Sequence, residues 1–243
     1  MTIQVARLQK DPASGFPPAS QALAEPDGLL AIGGDLSPPR LLDAYRHGIF
    51  PWYSEGQPLL WWSPDPRMLF RSDGVHLSRR FRRTLRALPW SVRADTCFEA
   101  VVHACALPRD DQPGTWITAA MQAAYGELHR LGHAHSIEVF DGTALVGGLY
   151  GVAVGHMFFA ESMFSASSGG SKVALAALAL RLREWDWPLF DAQLENPHLR
   201  SLGAEAWPRS RFLAEVARLV ALPDPPGSWT PRFGAVQASA LAG

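Results

Sequence analysis

Two carboxylates lie where carboxylates are expensive. Glu161 stands in FFAESMF, at the end of an otherwise apolar run, and Asp191 stands in PLFDAQLE, inside a second one. A charged side chain in such a stretch costs free energy unless it is paired or put to use. Side chains two apart on a strand point the same way, so Asp191 and Gln193 are expected to share one face. A carboxylate beside an amide suits holding and deprotonating an amine. The alternative is that both acids stand at strand ends and cap neighbouring loops. Spacing alone does not separate these two readings.

Other chemistries have less to stand on. There is no G-x-S-x-G elbow. Cys97 and Cys105 have no histidine at a nucleophile's spacing and make no zinc pattern, so both are expected reduced in the interior. His133 and His135 alternate in HAHS and can share a face, but two histidines without a third ligand nearby read as structural, and no metal is expected. Ser-Gly-Gly-Ser-Lys at 168–172 lacks the earlier glycine of a nucleotide-hydrolysing phosphate loop. Free N–H groups at a helix start there can still attract an anion.

Basic residues fall unevenly. Lys10 and Lys172 are the only lysines among 22 basic residues. Arg79, Arg80, Arg82, Arg83 and Arg86 crowd one stretch that reads as helix, with no acid between Val75 and Arg93. Arg79, Arg83 and Arg86 are spaced to share one face, opposite Phe81, Leu85 and Leu88. A charge run is usually a solvated face, but one without acids suits phosphates. Trp52, Trp61, Trp62 and Trp116 sit beside turns, where an indole either fills a small core or stacks on a base.

These side chains need elements to position them. The chain has 243 residues, a formal net charge of -1 and 47% apolar residues, enough for a large domain or two modest ones. No apolar run is long enough to span a membrane. MTIQVARLQKDPASGF carries no basic stretch followed by an apolar core, so a cytoplasmic location is expected. Residues 1–65 are rich in Pro, Gly and Trp and read as a small domain. One helix is predicted there over Pro38–His47, with Ser37 as N-cap.

Residues 66–225 read as a larger domain. HSIEVF, a turn at Asp141-Gly142, ALVGGLYGVAV, a turn at Gly155 and HMFFAESMF form a meander. A long apolar helix over Lys172–Trp185, capped by Ser171, leads to the strand PLFDAQLE and a short helix ending near Leu202. Residues 226–243, rich in Pro, Gly and Ala, read as a tail with a disordered end. Hairpin, strand, helix, strand and short helix follow the order of an acyl-CoA N-acyltransferase (GNAT) core, a fold-level analogy. The fold class is thus α+β, a small N-terminal domain packed on a GNAT-like mixed-sheet domain.

Almost end to end, the chain resembles the leucyl/phenylalanyl-tRNA–protein transferases of bacteria. The matching stretches are FPP, EPDGLLAIGGDLSPPRLLDAYRHGIFPW, WWSPDPR, GTWIT, LGHAHSIEV, LVGGLYGVAVG, ESMFS, the Ser171-Lys172 helix start, FDAQ, Asn196-Pro-His and SLGA. The resemblance implies transfer of Leu, Phe or Met from charged tRNA to proteins beginning with Arg or Lys. The product carries an N-terminus that marks it for degradation by the N-end rule. It implies a monomer with no cofactor and no membrane partner.

The resemblance also assigns residues. Asp191, Gln193 and Glu161 fall at the reacting centre. Trp52 and Trp116 fall beside the 3′ adenosine, and Arg79, Arg83 and Arg86 beside the acceptor stem. Leu149, Phe158, Met163 and Leu178 fall around an apolar side-chain pocket, with Asn196 also at the substrate. Some relatives carry Met where Leu149 stands and Phe where Leu178 stands. The expected chemistry is aminolysis of an ester: Asp191, oriented by Gln193, relays or accepts the proton, and Glu161 positions an ammonium. A coenzyme A enzyme of the same fold should show a Gln/Arg-x-x-Gly-x-Gly/Ala loop, which SMFSASSGGSKV lacks.

Overall fold

Turn-forming residues rather than apolar periodicity shape the opening segment, and its strands are accordingly short. The computed structural model describes residues 5–11, 15–108 and 115–243. Strands β1 (Ala6–Leu8), β2 (Leu29–Gly33), β3 (Phe50–Pro51) and β4 (Leu60–Trp62) form a sheet in the order β1-β2-β4-β3. Trp61 is fully buried behind it, with the Phe16 ring edge-on 4.8 Å away. Gly33 and Gly34 turn the chain with φ of 89° and 80°, a region that side chains oppose.

Helix α1 (Pro38–Arg46) follows, close to the predicted bounds. Ser37 is its N-cap residue, but its hydroxyl makes no capping bond. Asp35 Oδ1 instead accepts the Ser37 N–H at 2.8 Å.

A second sheet carries the rest. It contains β5 (Arg67–Arg71), β6 (Ser91–Ala94), β7 (Ala134–Asp141), β8 (Ala144–Val154), β9 (Met157–Ser165), β10 (Leu189–Gln193), β11 (Glu205–Trp207) and β12 (Val236–Gln237). Their order is β11-β5-β10-β9-β8-β7-β6-β12. Strands β7, β8 and β9 form the predicted antiparallel meander. The helices are α2 (Arg79–Leu85), α3 (Phe98–Ala106), α4 (Ala119–Arg130), α5 (Gly170–Glu184), α6 (Pro197–Ser201), α7 (Arg209–Val220) and α8 (Thr230–Phe233).

Buried residues of α1, α3, α4 and α7 share one core, and those of α5, α8 and the chain end share another. Among the described residues no helix is long and apolar enough to cross a membrane.

Strand β10 runs parallel to β9, and a parallel return needs a crossover, which α5 supplies. That helix starts earlier than predicted. Gly169, at φ 91°, is its N-cap, and Ser171 lies in the first turn, where its N–H is taken by Ser165 Oγ at 2.9 Å. The start of α5 presses on β8: a Cβ on Gly147 would fall 2.5 Å from the Gly170 backbone.

The end of the chain is ordered, contrary to its composition. Trp229, Phe233, Val236 and Ala238 are buried, and β12 pairs antiparallel with β6. Four apolar anchors and one polar clamp outweigh the Pro and Gly content. The Trp229 N–H donates to Asp95 Oδ2 at 2.7 Å, and the Trp229 ring stacks on His135 at 4.0 Å.

His135 also meets Asp95 through Nδ1 at 2.9 Å, which is a structural use of that histidine. Burial pushes the Asp95 carboxyl up, but bonds from His135, Trp229 and Ser136 outweigh it and hold the group below its ordinary value. Cys97 is half-buried and Cys105 buried, and neither is joined in a disulfide.

Candidate active site

Strands β9 and β10 pair only through Phe158 with Phe190 and Phe159 with Asp191. Beyond that pairing a cavity of about 1000 Å³ opens. Glu161 and Met163 of β9, Gln193 of β10 and Leu175 of α5 line it, as do Leu149, Phe70 and Phe190. Trp52, Trp116 and Asn196 also line it. Trp52 is exposed, Trp116 half-buried, and the Asn196 side chain caps α6 by accepting the His198 N–H at 2.7 Å. The lining thus combines apolar side chains with a carboxyl, an amide and two indoles.

Glu161 is held by two tyrosines from different helices. Tyr45 of α1 donates to Oε1 at 2.8 Å, and Tyr125 of α4 donates to Oε2 at 2.7 Å. The two phenol oxygens also meet each other at 2.7 Å. Gln193 Nε2 donates to Oε1 at 3.2 Å. Burial raises the Glu161 carboxyl to about 7, against the pull of the Tyr125 and Tyr45 hydroxyls. Proton counting agrees with the direction. Three contacts among four oxygens need three hydrogens; two phenols bring two, and a protonated Glu161 brings the third, one tyrosine then accepting from the acid while it donates to the other.

Burial, and then the charge of Glu161, pushes the Tyr45 and Tyr125 phenols well above their ordinary value, so neither ionises. Tyr150, in the same cluster, buries its hydroxyl without a hydrogen-bond partner.

Asp191 does not do what its position in the sequence suggested. Its carboxylate is fully buried, does not line the cavity, and has both oxygens engaged by Arg67. Arg67 Nε donates to Oδ1 at 2.8 Å and Nη2 to Oδ2 at 2.6 Å. An oxygen pair so occupied is not itself open to an amine in the cavity. The expectation that Asp191 and Gln193 share a face also fails, because a β-bulge falls between them and breaks the alternation. Gln193 adopts φ 55°, and its own N–H donates back to Asp191 Oδ1 at 3.1 Å.

The apolar positions divide. Leu149 and Met163 face the cavity, whereas Phe158 and Leu178 do not line it and are fully buried in the core beside α5. Leu175, one turn before Leu178, takes the place expected for it. Periodicity could not choose between them, because α5 is buried on nearly every side from Val173 to Ala179.

The arginine face lies outside the cavity. Arg79 and Arg83 are exposed on α2, Arg86 is exposed as its C-cap, and among the described residues no acid pairs with any of them. Phe81 on the inner side packs on the start of α5, where Lys172 Nζ lies 5.6 Å from its ring. The basic strip therefore reaches the helix that walls the cavity.

Residues 69–217 match the leucyl/phenylalanyl-tRNA protein transferase family, and residues 34–65 match the N-terminal domain of that family. A leucyl/phenylalanyl-tRNA–protein transferase of Xanthomonas euvesicatoria pv. vesicatoria (strain 85-10) is 71% identical over 227 residues, or 93% of this chain and 91% of that protein. One of Xanthomonas campestris pv. campestris (strain 8004) is 68% identical, covering 97% of this chain and 95% of its own. One of Xylella fastidiosa (strain 9a5c) is 64% identical, covering 93% and 94%. Among solved structures, L-PGS from Bacillus licheniformis aligns at TM-score 0.38 and 11% identity over 69% of this chain and 54% of that one, a likeness too slight to bear on activity.

Proposed function

Because this chain belongs to the leucyl/phenylalanyl-tRNA–protein transferase family and is an aminoacyltransferase, we propose that its cavity joins the aminoacyl end of Leu-, Phe- or Met-tRNA to a protein beginning with Arg or Lys. The observation that carries this reading is one cavity lined both by apolar side chains and by a buried carboxyl poised near neutrality. Leu149, Met163, Leu175 and Phe190 offer a bay for the donor side chain, and Trp52 and Trp116 offer faces for the terminal adenine. Arg79, Arg83 and Arg86 suit the phosphates of the acceptor stem.

An α-ammonium has a pKa of about 8, close to the value of about 7 at Glu161. Glu161 as carboxylate takes a proton from that ammonium, and the freed nitrogen attacks the ester carbonyl. The new C–N bond forms, the C–O3′ bond breaks, and the amine's second proton goes to the departing oxygen, with the ribose 2′-hydroxyl as the relay. Gln193 holds Glu161 and the reacting amine in one geometry, and alignment of two bound substrates supplies much of the rate.

The larger sheet is read as GNAT-like, because its parallel neighbours separate where substrates would meet. What favours tRNA over coenzyme A is the ground before α5. A Cβ on Gly169 would fall 2.5 Å from the Phe81 ring, so a side chain fills the space a pyrophosphate would need. We read the chain as two domains divided near residue 65, with 226–243 integral to the second. It works as a cytoplasmic monomer without a cofactor, and its products are marked for degradation. The test is transfer of labelled Leu or Phe from charged tRNA to a peptide beginning with Arg, with Ala-initiated peptide as control. Equal labelling of both peptides, or of neither, refutes the reading.

A further inference from the structure

The geometry points to Arg67 as a positioning residue that sets Gln193 for the transfer without itself lining the cavity; this rests on the reading that places Gln193 at the reacting centre. The Arg67 guanidinium is fixed on every side. Its two bonds to Asp191 are joined by a third from Nη1 to the Gly48 carbonyl at 3.0 Å. The rings of Phe50 and Phe212 flank it at 4.7 and 4.5 Å. Both Arg67 and Asp191 are fully buried.

The other end of this pair reaches the site. Asp191 Oδ1 accepts from Arg67 Nε and from the Gln193 N–H together. That N–H belongs to a bulged residue in the left-handed region, where a side-chain-bearing residue stays only when its surroundings hold it. The bulge in turn lets the Gln193 amide reach Glu161 Oε1 at 3.2 Å. One line of contacts thus runs from Gly48 through Arg67, Asp191 and Gln193 to Glu161.

A planar fork is needed at its centre. Lysine keeps the charge but cannot serve two carboxylate oxygens and a carbonyl from one plane. Asp191 would then lose its bidentate grip, and Oδ1 would no longer pin the Gln193 backbone. The donor bay and the arginine face lie elsewhere and are left intact.

Single-turnover transfer and aminoacyl-tRNA affinity are measured for Arg67→Lys, Gln193→Ala and the two combined. Arg67→Lys should leave KM for the charged tRNA unchanged and lower kcat by roughly 10- to 100-fold, the penalty of a misplaced reacting group. In the Gln193→Ala background the same change should lower kcat no further. A merely structural arginine would lower both backgrounds by one factor, and that result overturns the inference, as does an undiminished kcat in Arg67→Lys. A normal rate in Gln193→Ala alone instead refutes the placing of Gln193. If Arg67→Lys does not fold, Arg67→Met with Asp191→Leu removes the buried charges at similar volume. Folded and still slow, that variant supports the inference; folded and fast, it overturns it.

Discussion

Glu161→Gln should abolish transfer and stabilise the fold, and the stabilisation should depend on pH. Folding takes the Glu161 carboxyl from an ordinary 4.5 to about 7, because burial opposes its charge more than the Tyr125 and Tyr45 hydroxyls favour it. One unit corresponds to about 1.4 kcal/mol. Keeping the group ionised therefore costs about 2–3 kcal/mol, after allowance for water reaching it from the cavity. The sign follows from the raised value. Stability from this group is complete below 4.5, declines as pH rises, and is lost above about 7.

Glutamine has no titrating proton to lose. Urea unfolding of both proteins across this range isolates the proton, since any change in hydrogen bonding to the tyrosines adds a constant offset. The variant's advantage should grow by about 2–3 kcal/mol from acid to alkaline pH and then level off. A difference that stays flat shows that Glu161 folds with an ordinary carboxyl. Its assignment as proton acceptor would then fall.

Tyr125→Phe removes a 2.7 Å bond to Glu161. It should move the pH midpoint of single-turnover transfer upward by roughly one unit, since hydrogen bonds to charged groups contribute about 1.5–3 kcal/mol; an unmoved midpoint dissociates Glu161 from the titration. Arg79→Ala with Arg83→Ala should flatten the log–log salt dependence of charged-tRNA binding by roughly 0.7–0.9 per lost phosphate contact. The change should be equal for Leu- and Phe-tRNA, and an unaltered slope marks this face as merely solvated. Trp229→Ala should lower unfolding free energy by about 3–5 kcal/mol, and a loss near zero would mean that the chain end is only lightly attached.

What could be read from the sequence was local. Asp141-Gly142 between alternating runs announces a hairpin, Pro38–Arg46 carries helix punctuation at both ends, and Glu161 and Asp191 are conspicuous because their neighbours are apolar. What could not be read depends on partners far along the chain. Arg67 lies 124 residues from Asp191, in a Pro-flanked stretch that resembles loop. Without it Asp191 looks open, although Arg67 engages both its oxygens. Tyr45 and Tyr125 sit on ordinary amphipathic faces, where a phenol looks like core filling. The bulge before Gln193 defeats any inference from alternation, because a period of two holds only for a regular strand. Composition misleads about the tail, because it counts Pro and Gly but not the spacing of Trp229, Phe233 and Val236.

Tyr45 comes from the opening segment, whereas the carboxyl it bonds lies 116 residues later on a strand of the other sheet. If Glu161 is the proton acceptor proposed above, the working pH is a joint inheritance of two stretches of chain. A recombinant that took its first sixty-odd residues from one relative and the remainder from another would fold and hold its tRNA if each stretch were sound alone. It would still bring together two halves of one acid's surroundings that had never been selected side by side. Drift in acidity optimum between related enzymes can then arise from exchanges in a region that contributes no carboxyl to the reaction.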